Sequence, residues 1–368
     1  MKTILITDSD FSTTDKNFNY LLWFQPSFGA MIVGKNKIQI FLDSRYFWNT
    51  KNIDEHNLRE KVWNKNLKIE YIKIEKVWLT ELLVQNLEWK KEVNISDNIA
   101  LKYYNKICRD VSLKHLTLHT VENIFWKKRI IKTSSELEDI SKAIQIIDRV
   151  CEYIFELNNA WELFWKTELQ MRSIVIAKIM EFWWNWESFD TIVAFWPNSA
   201  IPHHSAWETI IWEWVLLIDM WALYNWYCSD FTRTFWIPHP NPLPWGGEGI
   251  TQEYSEFLKI YNIVKQSHQK TFEQTSAWMT WEDVDAICRD YIVESWYWEY
   301  FTHSTGHWVG LDIHEIPWIS KKQDNVLKDW MVFTIEPWIY LPWKFWVRLE
   351  DIVFMKDWKL EKVSTIEL

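Results

Sequence analysis

Residues Val215 to Phe235 read VLLIDMWALYNWYCSDFTRTF. An apolar run ends in Asp219, Asn225-Trp226 interrupts the pattern, and a second run carries Asp230. With Asn225-Trp226 as a hairpin loop, Asp219 lies opposite Thr232 and diagonal to Asp230. Residues 230 and 232 share a face, because side chains alternate along a strand. Two carboxylates then project from one face with their backbones roughly 7–8 Å apart, the diagonal spacing in a sheet. That geometry suits carboxylates reaching two cations roughly 3.5–4 Å apart. Without a cation the pair would repel, and one member would take up a proton. Taken alone, the stretch reads more simply as two ordinary hairpin aspartates.

Three further segments change that balance. Phe301 to Pro317, FTHSTGHWVGLDIHEIP, crowds His303, His307 and His314 into twelve residues of a chain with ten histidines. Gly306 and Gly310 beside them suggest backbone in close approach to a ligand. Met331 to Pro337, MVFTIEP, is an apolar strand ending in Glu336, a costly strand end unless the carboxylate has a partner. In Val347 to Phe354, VRLEDIVF, Arg348 and Glu350 share a face, and an arginine among several carboxylates neutralises and orients them. Two Asp, one His and two Glu make an oxygen-rich donor set with one imidazole. It suits manganese, and zinc or cobalt less distinctively.

The composition contains an anomaly. Among 368 residues there are 30 tryptophans and only 7 glycines, where ordinary usage puts glycine at roughly 7%. Many tryptophans stand where glycine belongs. Asn225-Trp226 and Asp357-Trp358 each separate two strand-like runs, where Asn-Gly and Asp-Gly are the usual hairpin turns. Trp183, Trp184 and Trp186 follow the helical run from Glu168 to Phe182, where a glycine cap is expected. This is the pattern expected if one codon written as tryptophan is read as glycine in the source organism, as in UGA reassignment. Were they tryptophans in nature, Trp221 and Trp338 would push indoles against the metal cleft, and Trp183, Trp184 and Trp186 would crowd one short turn.

The rest of the composition bounds the function. A net charge of −10 argues against a nucleic-acid partner. Cysteines at 108, 151, 228 and 288 have no paired spacing and read as reduced thiols of a cytoplasmic protein. Asp8 comes too early for a signal-peptide apolar region, and no apolar run is long enough to cross a bilayer. The length suits two domains. Residues 1–121 alternate strand-like and helical runs: strands at Met31-Ile32-Val33 and Ile38 to Leu42, a helix from Thr80 to Leu87. The boundary is expected near 121–125. Beyond it, in 122–368, helices are expected at 136–158, 167–182, 251–275 and 281–295, with strands between and after. The first of these starts near Ser134, with Ser135 and Glu138 as its capping box. Residues 238–250, PHPNPLPWGGEGI, read as an inserted surface loop.

These motifs resemble those of the pita-bread metallopeptidases, specifically the Xaa-Pro aminopeptidase and prolidase branch, over nearly the whole chain. Asp43-Ser44-Arg45-Tyr46 resembles the D-x-R-Y element of the first domain. Asp219-Met220-Trp221, Ser229 to Thr234, Gly306 to Glu315, Glu336-Pro337-Trp338 and Arg348 to Asp351 resemble the five elements of the catalytic half. Trp221, Trp308 and Trp338 replace glycines of those elements. The resemblance implies an α/β (α+β) chain, with a small creatinase-like α/β domain followed by a pita-bread catalytic domain. It implies two divalent ions, with Asp219 holding one, Asp230 and Glu350 bridging both, and His307 and Glu336 completing the second site. A bridging water or hydroxide would be the nucleophile. By the same route His203 and His314 act in catalysis beside Glu336, and His303 and Arg348 on the substrate side. His204 is left out, on the ground that adjacent strand residues face opposite ways. The partner is a peptide, and the first domain caps the cleft, often from a neighbouring subunit of a homodimer. The runners-up are a prolidase restricted to dipeptides and a catalytically dead pita-bread binding module. Retention of all five ligands speaks against the latter. A methionine aminopeptidase usually lacks such a first domain, and a creatine-hydrolysing relative typically lacks the full metal set.

Overall fold

The computed structural model describes the chain except residues 1, 9–14, 63, 76–77, 88–91, 98, 113–116, 122–124, 183–189, 202–203, 239–250, 316–325 and 343, and the side chains of 110–112. The clustered tryptophans 183, 184 and 186, His203, and all but Pro238 of the Pro/Gly-rich loop lie outside the described residues. The chain divides into two compact units, Met1–Arg129 and Ile130–Leu368.

The first unit is built on a six-stranded mixed sheet in the order β4-β3-β2-β1-β5-β6. Its strands are β1 (Lys2–Asp8), β2 (Phe28–Val33), β3 (Lys37–Asp43), β4 (Lys68–Ile74), β5 (Glu92–Ser96) and β6 (Thr117–Val121). β1, β2 and β3 pair antiparallel in sequence order, while β4, β5 and β6 add in parallel. Parallel additions need crossovers, and helices supply them. These are α2 (Glu55–Lys61), α3 (Leu79–Asn86) and α4 (Leu101–Ser112), following the short α1 (Asn17–Leu22). Leu79, Leu83 and Val84 of α3 pack on Ile4, Ile32 and Ile95 of the sheet. The helix α5 (Trp126–Arg129) ends the unit.

The second unit opens with α6 (Ser134–Asn159) and α7 (Glu168–Phe182). The capping box of α6 is Thr133 with Glu136, two residues before the expected Ser135 and Glu138. Both spacings satisfy the motif. Thr133 is the residue with extended backbone whose hydroxyl accepts the Glu136 N–H, so the cap falls there. A three-stranded antiparallel sheet follows, β7 (Ile192–Phe195), β8 (Trp214–Met220) and β11 (Phe231–Ile237), with β8 central. The short strands β9 (Leu223–Tyr224) and β10 (Tyr227–Cys228) close the hairpin at Asn225-Trp226, and Asp219 pairs with Thr232 as the alternation predicts. Then come α8 (Gln252–Gln274) and α9 (Trp281–Glu294), each within one residue of its expected ends. The strands β12 (Val332–Ile335), β15 (Asp351–Lys356) and β16 (Lys359–Lys362) form a second sheet, and β13 (Trp338–Leu341) pairs with β14 (Phe345–Arg348).

Alternation on these strands positions the site. Leu216, Ile218 and Met220 of β8 pack outward on α6 and α7 with Phe231, Phe235 and Ile237 of β11. Val215 and Leu217 face the other way, towards α8, α9 and the β13–β14 pair. Asp219, next in that register, therefore points inward. Thr232 and Thr234 lie on the face of β11 opposite Phe231 and Phe235. Thr334 of β12 likewise faces away from Phe333 and Ile335, which belong to an apolar cluster with Trp281 and Trp308.

Nine described tryptophans occupy glycine's conformations. Trp23, Trp161, Trp165, Trp226, Trp278, Trp296, Trp330 and Trp358 have φ between 62° and 75°, and Trp214 has φ 156°. The other described non-glycine residues with positive φ are Asn225 and Asp357, each the first residue of a hairpin loop. Asn225-Trp226 and Asp357-Trp358 thus have both central residues left-handed, the turn that demands Asn-Gly or Asp-Gly. The expectation for Trp221 and Trp338 is corrected. Trp221, Trp308 and Trp338 are buried in the core, and no tryptophan among the described residues lines the metal cleft.

Behind the β11–β15 seam lies a buried charge network. The Arg233 guanidinium donates to Asp351 at 2.7 Å and to the Glu350 carbonyl at 2.8 Å, and Lys362 donates to the other Asp351 oxygen at 3.3 Å. Burial would raise the Asp351 carboxyl, but Arg233, His268 and Lys362 outweigh it and hold the group below its ordinary value. His268 of α8 is also buried, and burial pushes its imidazole down to about 4 from 6.5. The unfolded chain therefore takes up that proton first, so the stability His268 brings is lost as pH falls from 6.5 towards 4. His268→Leu is expected to flatten the loss by about 3 kcal/mol over that interval, read from urea unfolding at pH 7 and pH 4. An unchanged pH slope would show that His268 does not drive it.

Candidate metal centre

Each candidate donor reaches the inner face by a separate local device. Asp219 is on β8 and Asp230 directly precedes β11. Glu350 forms an isolated bridge with Thr232 between β14 and β15, while Glu336 follows β12. His307 sits in the loop whose backbone is fixed by Thr334. The His307 N–H donates to Thr334 Oγ1 at 3.0 Å, and that hydroxyl donates to Glu336 Oε1 at 3.2 Å. Gly306 is required by the same contact, because a Cβ there would lie 2.0 Å from the Thr334 carbonyl. At Gly310 a Cβ would meet Glu315 Oε1 at 2.5 Å. Both glycines thus sit where the chain packs closely on itself.

Asp230, His307 and Glu350 bring ligand atoms within 4.8 Å of one another. His307 Nε2 is 3.3 Å from Asp230 Oδ2 and 3.6 Å from Glu336 Oε1. A hydrogen-bonded chain braces the carboxylates. Thr232 Oγ1 donates to Glu350 Oε2 at 2.6 Å and accepts from Arg348 Nε at 3.0 Å, and Arg348 Nη2 donates to Asp219 Oδ2. Arg348 is thereby engaged with Asp219 and Thr232. Asp219, Asp230, His307, His314, Glu336, Arg348 and Glu350 line one cavity of about 470 Å³. His314 is exposed in its wall, its ring edge-on to His307 at 4.2 Å between centroids. His303 is not among the lining residues. It stacks on Trp338 with centroids 5.1 Å apart.

His204 lines the same cavity. Its exclusion assumed a strand, but residues 202–209 form none among those described, so alternation says nothing about where its ring points.

The electrostatics fit a cation. Burial first, and the charges of Asp219 and Glu336 next, push the Asp230 carboxyl well above its ordinary value. Burial and the charges of Asp230, Glu336 and Asp219 do the same to Glu350. Burial also raises Glu336, against the pull of His307 and Arg348. Burial would weaken Arg348 as a cation, but the surrounding carboxylates overcome this and keep it protonated. Asp219 Oδ1 is buried with no hydrogen-bond partner, an arrangement that costs free energy unless something positive occupies its lone pairs. Four carboxylates against one arginine, with an unsatisfied oxygen aimed among them, match the oxygen-rich donor set of a divalent ion.

The profile of metallopeptidase family M24 matches residues 138–357. The chain is a member of metallopeptidase family M24. It is therefore a metal-dependent hydrolase, and the donor cluster lies within the matched region. A putative Xaa-Pro aminopeptidase of Mycoplasma pneumoniae is 29% identical over 94% of this M24 chain and 89% of its own length. The Xaa-Pro dipeptidase of Pyrococcus furiosus is 36% identical over 67% of this chain and 66% of its own. Among solved structures, a prolidase from Pyrococcus furiosus superposes with a TM-score of 0.80 at 27% identity, covering 100% of this chain and 97% of that one. The two-unit architecture with a pita-bread second unit is thus the fold of prolidases and X-Pro aminopeptidases. No helix among the described residues is long and apolar enough to cross a membrane.

Proposed function

We propose that this M24 enzyme is an Xaa-Pro aminopeptidase, releasing the N-terminal residue of peptides with proline at the second position. The observation that carries the reading is the convergence of Asp219, Asp230, His307, Glu336 and Glu350 on one cavity wall. In this reading Asp219, Asp230, His307, Glu336 and Glu350 would together hold two divalent ions. Manganese suits these donors best. Bound there, the ions would polarise the scissile carbonyl and lower the pKa of a coordinated water. The chain's own residues supply the geometry. Thr232 and Thr334 hold Glu350 and Glu336 in single orientations by donating to one oxygen of each. Arg348 offsets the carboxylate charge and fixes Asp219. His314, exposed beside His307, would touch the peptide, and His203 would take the catalytic role implied by its motif. A proline-directed enzyme is needed because an Xaa-Pro bond offers no N–H to grip and proline fixes the local shape.

Preference for longer peptides rests on the Mycoplasma pneumoniae relative, which matches nearly the full length of both chains. The higher identity to the Pyrococcus furiosus dipeptidase favours the second reading, a prolidase confined to dipeptides. Hydrolysis of Ala-Pro-Ala set against Ala-Pro, with manganese added, separates them. The expected result is faster release of alanine from the tripeptide. Cleavage of Ala-Pro alone would establish the prolidase reading, and equal rates on Ala-Pro-Ala and Ala-Ala-Ala would remove the proline specificity. We place the enzyme in the cytoplasm as a homodimer, on the strength of four cysteines that form no disulfide and the family resemblance. Sedimentation at working concentration tests the dimer.

A further inference from the structure

Glu168 is a completely buried carboxylate outside the metal cluster. It begins α7, where Thr167 and Gln170 cap the helix reciprocally at 3.1 and 2.9 Å. A glutamate in a first helical turn normally lies at the surface, facing the helix dipole. Glu168 instead turns inward, and its two oxygens take up four hydrogen bonds. Oε1 accepts from the Phe195 N–H at 2.7 Å and from Asn198 Nδ2 at 3.1 Å. Oε2 accepts from the Trp207 N–H at 3.0 Å and contacts His204 Nε2 at 2.9 Å. These donors fill the acceptor capacity of a carboxylate and offset its burial.

All four partners belong to the segment that runs from the end of β7 past the cavity, and His204 is the one whose ring lines it. The Phe195 N–H, Asn198 Nδ2 and Trp207 N–H can only donate to Glu168, and with Nε2–H as the fourth donor the carboxylate accepts every bond it makes. Nδ1 is then the ring nitrogen left for another partner. We infer that Glu168 is a positioning residue which, through Nε2–H of His204, holds that imidazole at the cavity wall so that Nδ1 can hydrogen-bond the bound peptide. This inference rests on the peptidase reading above and adds a substrate contact outside the metal ligands. Further hydrogen bonds tie the described residues of this segment to α7. Asn198 Nδ2 also donates to Thr209 Oγ1 at 2.9 Å, and the Glu168 and Leu169 N–H groups donate to the Thr209 and Trp207 carbonyls at 3.0 and 3.1 Å. The ring is thus attached to a rigid frame, as a preorganised contact requires.

A double-mutant cycle tests it on the manganese-loaded enzyme with Ala-Pro-Ala. Glu168→Gln is expected to lower kcat/KM about tenfold, the size typical of lost orienting partners, with bound metal unchanged. His204→Gln keeps a donor for Glu168 but removes the imidazole, and should lower kcat/KM to a similar degree. In the His204→Gln background, Glu168→Gln should cost less than about twofold, because residues acting through one another are not additive. Equal losses from Glu168→Gln in both backgrounds would overturn the inference, since a purely structural carboxylate damages either enzyme alike. A wild-type kcat/KM for His204→Gln would also overturn it, and that variant carries the test if Glu168→Gln does not fold. A readout free of turnover is the ring nitrogen spectrum of the protein. His204 should be Nε2-protonated in the wild type and lose that signature in Glu168→Gln. Wild-type turnover separately reports the parent reading: an inactive wild type with the expected His204 tautomer would refute the proposed function and leave the Glu168 geometry standing.

Discussion

Glycine in place of the eight left-handed tryptophans, at 23, 161, 165, 226, 278, 296, 330 and 358, is expected to raise the melting temperature by at least about 10 °C. Each bulky residue in that conformation costs roughly 1–2 kcal/mol. Glycine gives back part of the gain through its more flexible unfolded state, about 0.5–1 kcal/mol. Lost indole contacts oppose the change too, but weakly. Trp278 and Trp358 stack at 5.4 Å between centroids, worth about 0.5–1.5 kcal/mol for the pair, and Trp296 is 87% exposed. The summed benefit is on the order of 5 kcal/mol or more, comparable with the whole stability of a typical domain. Calorimetry of the two proteins checks this, and an unchanged or lower melting temperature in the glycine form would refute it. The peptide map of protein from its native source is the companion measurement. Glycine is expected at 226, 338 and 358, and tryptophan there would end the codon-reassignment reading.

The second large effect is at the metal centre. Asp230→Ala should bring Xaa-Pro hydrolysis to background and reduce bound divalent metal, because it removes one of the carboxylates assigned to the two ions. The same change should make the metal-free protein more heat-resistant. Burial first, and the charges of Asp219 and Glu336 next, already push the Asp230 carboxyl well above the ordinary value, so its removal relieves both desolvation and repulsion. Activity and stability therefore move in opposite directions, a pattern expected of a site built for a cation. Turnover, metal analysis and melting in chelator measure the three arms. Normal turnover with normal metal content would remove Asp230 from the centre.

The hairpin was legible because two local signals agree. Period-two alternation and the Asn225-Trp226 loop each place Asp219 opposite Thr232, as the strands do. Helix ends were legible to within a residue or two wherever a polar cap precedes an apolar period, as at Thr280 before α9. At α6 two overlapping capping boxes competed, and sequence spacing cannot choose between Thr133 and Ser135. Glu168 and His204 escaped for different reasons. A glutamate at a helix start carries the signal of a solvated charge, and only tertiary packing turns it inward. His204 was judged by strand alternation, a rule that lapses in irregular backbone. Gly306 and Gly310 were recognised as close-approach positions, and the chain's own Thr334 and Glu315 approach them, partners no local pattern names.

The Thr232–Glu350 hydrogen bond joins residues 118 positions apart, and Arg348 reaches 129 positions back to Asp219. Closing loops of this length is entropically expensive and slow, so the donor set is expected to come together late, once α8, α9 and the strands that carry the donors have formed. No nascent fragment ending before Glu350 can hold the complete set, however long the chain already made. Metal capture becomes a signal of finished folding: during synthesis the ions are recruited last, and in stopped-flow refolding the metal-dependent phase should trail the recovery of helical signal. Because ions that bind only the assembled state draw the equilibrium towards it, they would act as a latch on a long-range closure that the polypeptide itself completes late.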